Sequence, residues 1–183
     1  MLPIKCVTLG DGCAGKTSIL RFYTDKYLLE EYPPTIYEEY LTECAGVDGV
    51  KLPLLLCDTA GLNTKPFDYG DTDIFLLCFS VEETNALENL KRRWLPEIRH
   101  YCPNVPVIVI ATKIDLREHT RIQCITRDQG LALAKEVNAL EYMECSTHNG
   151  MGIQEIFEFV ASYTTKQRSN RDKNASHTKC CLM

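Results

Sequence analysis

Apolar positions along this chain come in short blocks and in helical stripes, and the two alternate. Ile4–Leu9 is a compact apolar block rich in β-branched residues, followed by a glycine-rich turn and a helical stretch over Lys16–Thr24. Two further strand blocks lie near Glu38–Cys44 and Val50–Cys57, with Gly46 and Asp48-Gly49 between them as a hairpin signal. Ile74–Ser80 and Val107–Thr112 are nearly continuous apolar runs, the pattern of strands buried on both faces. Helical spacing occupies Glu83–His100, where Pro96 predicts a bend in the last turns, and Arg127–Val137. Leu140–Cys145 reads as a last short strand. The stretch from Gly152 to Thr165 carries Ile153, Ile156, Phe157 and Val160 at helical spacing. Strands alternating with helices predict an α/β fold: a mostly parallel six-stranded sheet with helices on both faces. Ligands of such sheets bind beyond the carboxyl ends of the strands.

Composition narrows the class. The 183 residues are 45% hydrophobic and 25% charged, ordinary for one globular domain. No apolar run approaches the ~20 residues of a membrane-spanning helix. Met1–Leu9 leads into a strand and not into a secretory signal. Cys6, Cys57, Cys78 and Cys145, among ten cysteines, sit in apolar stretches, where a thiol acts as a small hydrophobe. With no C-x-x-C spacing, disulfides and a metal cluster are not expected, and a reducing cytosolic compartment is. Charge is uneven: residues 166–183 hold five basic side chains against Asp172, a net +4 within a total of −5. The body is therefore acidic, which argues against nucleic acid as a partner.

The most specific motif is Gly10-Asp11-Gly12-Cys13-Ala14-Gly15-Lys16-Thr17, which matches G-x-x-x-x-G-K-[ST] between a strand and a helix. Its glycines let backbone N–H groups of Gly12, Cys13, Ala14, Gly15, Lys16, Thr17 and Ser18 converge on phosphate oxygens at a helix N-terminus. Lys16 would reach the β- and γ-phosphates, and the Thr17 hydroxyl would ligate Mg²⁺. Downstream, strand Val107–Ala111 ends in Thr112-Lys113-Ile114-Asp115. A carboxylate there can accept both the ring N–H and the exocyclic amine of guanine, whereas adenine presents the wrong donors. Asp58-Thr59-Ala60-Gly61 lies between the two motifs.

Together these segments resemble the Ras superfamily of small GTPases, a P-loop G domain, and its Rho/Rac branch in particular. Branch likeness is carried by Trp94-Leu95-Pro96-Glu97-Ile98-Arg99-His100-Tyr101-Cys102-Pro103-Asn104 and by Gln129-Gly130-Leu131-Ala132-Leu133-Ala134-Lys135-Glu136. The resemblance implies a G domain over residues 1–165 that binds GTP and GDP with Mg²⁺ as a monomer. It implies that Thr35, in Tyr32-Pro33-Pro34-Thr35, ligates the metal in the GTP state, that Asp58 holds it through water, and that the Gly61 N–H senses the γ-phosphate. Thr112, Lys113 and Asp115 would read guanine, supported by Ser146 and Thr147 of Glu144-Cys145-Ser146-Thr147, where Thr147 replaces the family's Ala. Effector proteins would dock through Tyr32–Tyr40. Exchange factors, activating proteins and the GDP-dissociation inhibitor would use the switch surfaces.

Four departures from the family pattern bear on mechanism. Leu62 follows Gly61 where the family has the Gln that orients the attacking water, and no Gln occurs before Ser80. Very slow hydrolysis follows as an expectation; the alternative is a GTP-locked binding module with no meaningful hydrolysis. Switch II is about four residues short before Lys65-Pro66-Phe67-Asp68-Tyr69, which puts regulator docking in question. Leu28 stands where relatives place an aromatic against the base, so nucleotide release should be faster. The helical insert of most Rho proteins is largely lost after Arg117, and Tyr37-Glu38-Glu39-Tyr40 keeps only the outline of the effector segment. A nucleotide kinase or ATPase is a third reading, disfavoured by Asp115.

Beyond about Thr165 the sequence is polar and predicts a disordered basic tail over residues 166–183. It ends in Cys180-Cys181-Leu182-Met183, a C-a-a-X pattern whose terminal Met favours farnesyl on Cys180. Lipidation of both cysteines is the rival reading. One lipid chain with a basic lead-in predicts attachment to the cytoplasmic face of the cell membrane, with a fraction in the cytoplasm.

Overall fold

A computed structural model of the chain describes residues 2–25, 37–46, 50–60, 69–119 and 123–180, with side chains to residue 170. The six strands are β1 (Ile4–Leu9), β2 (Tyr37–Ala45), β3 (Lys51–Thr59), β4 (Ile74–Ser80), β5 (Val107–Thr112) and β6 (Glu141–Glu144). They form one sheet in the order β2-β3-β1-β4-β5-β6, parallel except for the antiparallel β2–β3 pair. Strand order therefore reverses at β1, which has β3 on one side and β4 on the other. The crevice beyond the carboxyl end of β1 is where such a sheet offers room to a ligand.

Burial follows the pleat. Along β4, Ile74, Leu76 and Cys78 join one core with Leu54, Leu56, Ile108, Phe157 and Val160. Phe75, Leu77 and Phe79 join the opposite core with Val7, Leu9, Val109, Trp94 and Leu133. Helices α1 (Lys16–Asp25) and α5 (Ile153–Cys180) contribute to the first core, and α4 (Arg127–Glu136) to the second. A strand covered on both faces needs apolar residues at every position, hence the uninterrupted runs in the sequence. Cys6, Cys57, Cys78 and Cys145 are buried thiols in these cores. Helix α4 starts on a reciprocal cap in which the Thr126 hydroxyl accepts from the Gln129 N–H and the Gln129 side chain accepts from the Thr126 N–H.

Two expectations need correction. The helix expected to bend at Pro96 is instead divided just before it, into α2 (Ala86–Asn89), a π-helical turn over Leu90–Trp94 and α3 (Leu95–Tyr101). Proline has no N–H to give the carbonyl four residues back and its ring crowds that carbonyl, so the chain widens the preceding turn. The tail expected to be irregular from Thr165 is helical to Cys180. Composition alone missed its anchor: Arg168 Nη2 pairs with Asp73 at 2.6 Å and donates to the Pro3 carbonyl at 3.0 Å, while Nη1 donates to the Leu2 carbonyl at 2.7 Å. With the Arg168 Nε bond to Asp73 at 3.4 Å, four bonds to the N-terminal end of the sheet hold the helix past its apolar stripe.

Gly130 lies on α4 against Tyr142 of β6, and a Cβ there would stand 2.3 Å from Tyr142 Oη. The ring is buried and its hydroxyl donates to Glu144 at 2.6 Å, so it has little freedom to yield. Helix propensity favours Gly130→Ala by ~1 kcal/mol, but overpacking of ~1–3 kcal/mol outweighs it. Urea unfolding should show a net loss of stability for Gly130→Ala.

Candidate functional site

The loop joining β1 to α1 is shaped first by what its backbone cannot otherwise do. Gly10 has φ +143°, and a Cβ on it would lie 2.1 Å from the Cys78 carbonyl oxygen. Gly15 has φ +79° and backs onto the Thr112 side chain. Gly12 differs, since a Cβ there would meet nothing within 4 Å. The protein's own packing requires glycine at Gly10 and Gly15, whereas Gly12 borders open space. Cys13 adopts φ +60° despite carrying a side chain, a strained conformation of the kind that collects at functional sites.

Lys16 turns back into this loop. Its ammonium is buried, 5% exposed, and donates to the carbonyls of Gly10 at 2.9 Å and Asp11 at 2.8 Å. Burial lowers its pKa, an effect that Asp58, Asp11 and neighbouring thiols oppose. Neutral carbonyls compensate a desolvated cation only in part, so an anion at the loop would be strongly favoured. Ala14, Thr17 and Ser18 complete the turn into α1, whose N-terminal amides face the same way.

At the end of β3, Asp58 is fully buried and accepts a short hydrogen bond from the Thr17 hydroxyl. A carboxylate and a hydroxyl side by side are hard oxygen donors, the set that suits Mg²⁺ when substrate phosphates supply further oxygens. Among the described residues no cluster of three or more His, Cys, Asp or Glu forms a metal site.

The second half of the site follows β5. Thr112 Oγ1 donates to the Ala14 carbonyl at 2.9 Å, joining the end of β5 to the phosphate loop. Lys113 then takes a left-handed φ of +56° and starts a 3₁₀ turn over Ile114–Glu118 that contains Asp115. The Ser146 hydroxyl donates to Asp115 Oδ1 and accepts from the His148 N–H at 3.1 Å. Arg117 ties the turn to β6 through Glu144 at 2.9 Å and to the Ile125 carbonyl at 2.9 Å. The fold thus gathers Gly12, Cys13, Ala14, Gly15, Lys16, Thr17, Ser18, Asp58, Thr112, Lys113, Asp115, Ser146 and Thr147 at the carboxyl ends of β1, β3, β5 and β6. Leu28, Tyr32, Thr35, Gly61 and Leu62 lie outside the described residues. Of Cys180 only the backbone is described, at the end of α5.

Sequence reading missed Glu82. Its carboxylate accepts from Lys113 Nζ at 2.5 Å and from Ser80 Oγ at 3.2 Å, and the Lys113 bond holds it below the usual carboxylate range. Nothing in the order of residues signals that partnership, because β4 and β5 bring it about across 31 positions. The start of β2 also carries an unforeseen cluster. Arg21 Nε donates to Tyr40 Oη at 3.1 Å, Arg21 Nη2 pairs with Glu38 at 3.1 Å, and Tyr40 donates to Glu38. Burial first and Glu38 second push the Tyr40 phenol up to about 12.

A model of the Ras family matches residues 5–166 of the chain. The chain belongs to the Ras family. Human and mouse proteins named Rho-related GTP-binding protein RhoB are each 37% identical to it over 190 residues, covering 97% of this chain and 95% of the relative. It is a Rho-like small GTPase of the P-loop α/β fold. Membership implies GTP and GDP as ligands, typically with Mg²⁺, and the loop, the buried ammonium and the Thr17–Asp58 pair are chemically suited to both.

Cys13 is exposed on the phosphate loop, whereas burial drives the Cys78 thiol up to about 12. Iodoacetamide at pH 8 should alkylate Cys13 and spare Cys78. Saturating Mg²⁺–GDP should slow Cys13 alkylation several-fold, read by peptide mass spectrometry; equal labelling with and without nucleotide would place the phosphates elsewhere.

Proposed function

We propose that this GTPase is a membrane-attached signalling switch that hydrolyses GTP very slowly and so resides mainly in its GTP state. The observation that carries the nucleotide half is Lys16, a buried cation whose contacts are loop carbonyls at the mouth of the sheet's switch point. Lys16 and the loop amides bind and orient the β- and γ-phosphates. Asp115, held by Ser146, accepts the guanine N–H groups, and Lys113 lies beside it. Thr17 and Asp58, with Thr35, would hold the cation. Bound Mg²⁺ supplies charge neutralisation across the phosphate oxygens, and the transferred group needs little else but positioning.

The hydrolytic half rests on Leu62. Water must be oriented in line with the leaving phosphate, and an aliphatic side chain can neither accept nor donate a hydrogen bond to it. A fully GTP-locked binding module is the second reading, favoured by the same Leu62 together with the shortened switch II. Either way the cycle would be governed by exchange, abundance and location.

Rho kinship suggests effectors, exchange factors, activating proteins and a GDP-dissociation inhibitor as the kinds of partner. Effectors would meet β2, an edge strand with Tyr37, Glu39 and Leu41 exposed. Work in cytoskeletal or trafficking control follows from the same kinship. Farnesyl on Cys180 with the +4 tail would hold the protein to the cytoplasmic face of the cell membrane, with the remainder in the cytoplasm. No helix among the described residues is long and apolar enough to cross a membrane.

Single-turnover release of phosphate from γ-labelled GTP, on the Mg²⁺-loaded protein, decides the hydrolytic reading. Wild type should stay near background and Leu62→Gln should rise by about a hundredfold, the scale of a positioned water. Wild-type release at the rate of ordinary Rho relatives would show that another group orients the water. For the anchor, Cys180→Ser should move the protein from the membrane fraction to the soluble fraction on flotation. Unchanged partitioning would remove lipidation from the account.

A further inference from the structure

Asp11 is the one acidic residue of the phosphate loop, and both of its oxygens are engaged from the far side of the sheet. Trp94 Nε1 donates to Asp11 Oδ1 at 2.8 Å, and Asn89 Nδ2 donates to Asp11 Oδ2 at 2.7 Å. The two donors stand five positions apart. On an α-helix, residues advance by ~100° each, so positions five apart diverge by roughly 140° and cannot serve one small group. Here the intervening turn is π-helical over Leu90–Trp94, with the Leu95 N–H donating to the Leu90 carbonyl. A turn that closes on the fifth residue returns the chain to the same side, and so brings Asn89 and Trp94 onto one carboxylate. Single π-turns inside helices cluster at functional sites, and this one has an identifiable task.

We infer that the π-turn, through Asn89 and Trp94, is a positioning device for the phosphate loop, acting on Asp11. The inference rests on the reading of that loop as the phosphate site. Trp94 is fully buried and stacked beneath the Arg93 guanidinium, 4.5 Å from the ring centroid, so its N–H is a fixed donor. Asn89 is exposed and adds the second bond from the solvent side. Between them both oxygens of the Asp11 carboxylate are held. The single backbone carbonyl of Asp11 also accepts from Lys16 Nζ at 2.8 Å and from the Ala14 N–H at 3.3 Å. Fixing the Asp11 side chain therefore fixes two backbone contacts that shape the loop and aim its lysine. Loosening the clamp would leave the fold intact and let the loop release a nucleotide more readily.

Release of mant-GDP from the Mg²⁺-loaded, full-length protein tests this. Trp94→Phe keeps an aromatic ring and removes the N–H; Asn89→Ala removes an exposed amide with little risk to the core. Each should speed release by about tenfold, the scale of a hydrogen bond to a charged group. The urea midpoint of Asn89→Ala should match wild type, which separates positioning from general destabilisation. Asn89→Ala placed on an Asp11→Ala background should add nothing further, because the two act through one contact. Release within twofold of wild type for both single variants overturns the inference while leaving the phosphate site in place. Additive effects of Asn89→Ala and Asp11→Ala on release would also overturn it. A wild-type protein that fails to bind mant-GDP overturns both the site and the inference.

Discussion

A buried ammonium without full compensation is the constraint on which the nucleotide half of this molecule depends. Lys16 gives up hydration to sit against two loop carbonyls, and its pKa falls accordingly. Phosphate oxygens at the loop would give this cation a charged partner that neutral carbonyls do not. The rest of the sheet is arranged to keep it so. Gly10 is pressed onto the Cys78 carbonyl, Thr112 reaches back to Ala14, and β1 ends where strand order reverses. Backbone geometry is thus suited to an anion, and the proposed choice of anion falls to the side chains around it.

The choice of base and the choice of state fall to different parts of the fold. Base recognition is proposed for the region beyond β5 and β6, where Ser146 bonds to Asp115 and Arg117 bonds to Glu144. State recognition is proposed for Thr35 and Leu62, and β2, which follows Thr35 in the sequence, carries a closed triad of Arg21, Glu38 and Tyr40. Arg21 lies one helical turn beyond Thr17, and Glu38 faces Asp58 across the β2–β3 ladder. The edge strand offered to partners is therefore physically adjacent to the pair assigned to the cation.

The architecture was legible because its signals are local and periodic. The short, apolar runs at Ile74–Ser80 and Val107–Thr112 have the length and composition of strands buried on both faces, and the glycine-lysine loop sits between a strand and a helix as its chemistry demands. What escaped was non-local. Glu82 meets Lys113, and Asp11 meets Asn89 and Trp94, only because the sheet brings distant segments together. Pro96 correctly announced an irregular helix but not its form: spacing alone cannot distinguish a bend from a widened turn. The helix beyond Thr165 escaped for the same reason. Its polar composition argues for disorder until Arg168 is seen against Asp73, Leu2 and Pro3.

One loop, one buried lysine and one carboxylate are proposed to make a guanine-nucleotide site that works with Mg²⁺. Calorimetric titration of the nucleotide-stripped protein with GDP and with ADP, each in Mg²⁺ and in EDTA, tests it most directly. One GDP site is expected, with ADP at least about a hundredfold weaker and GDP affinity reduced when the cation is chelated. Equal binding of ADP and GDP, or no GDP binding in Mg²⁺, would contradict it.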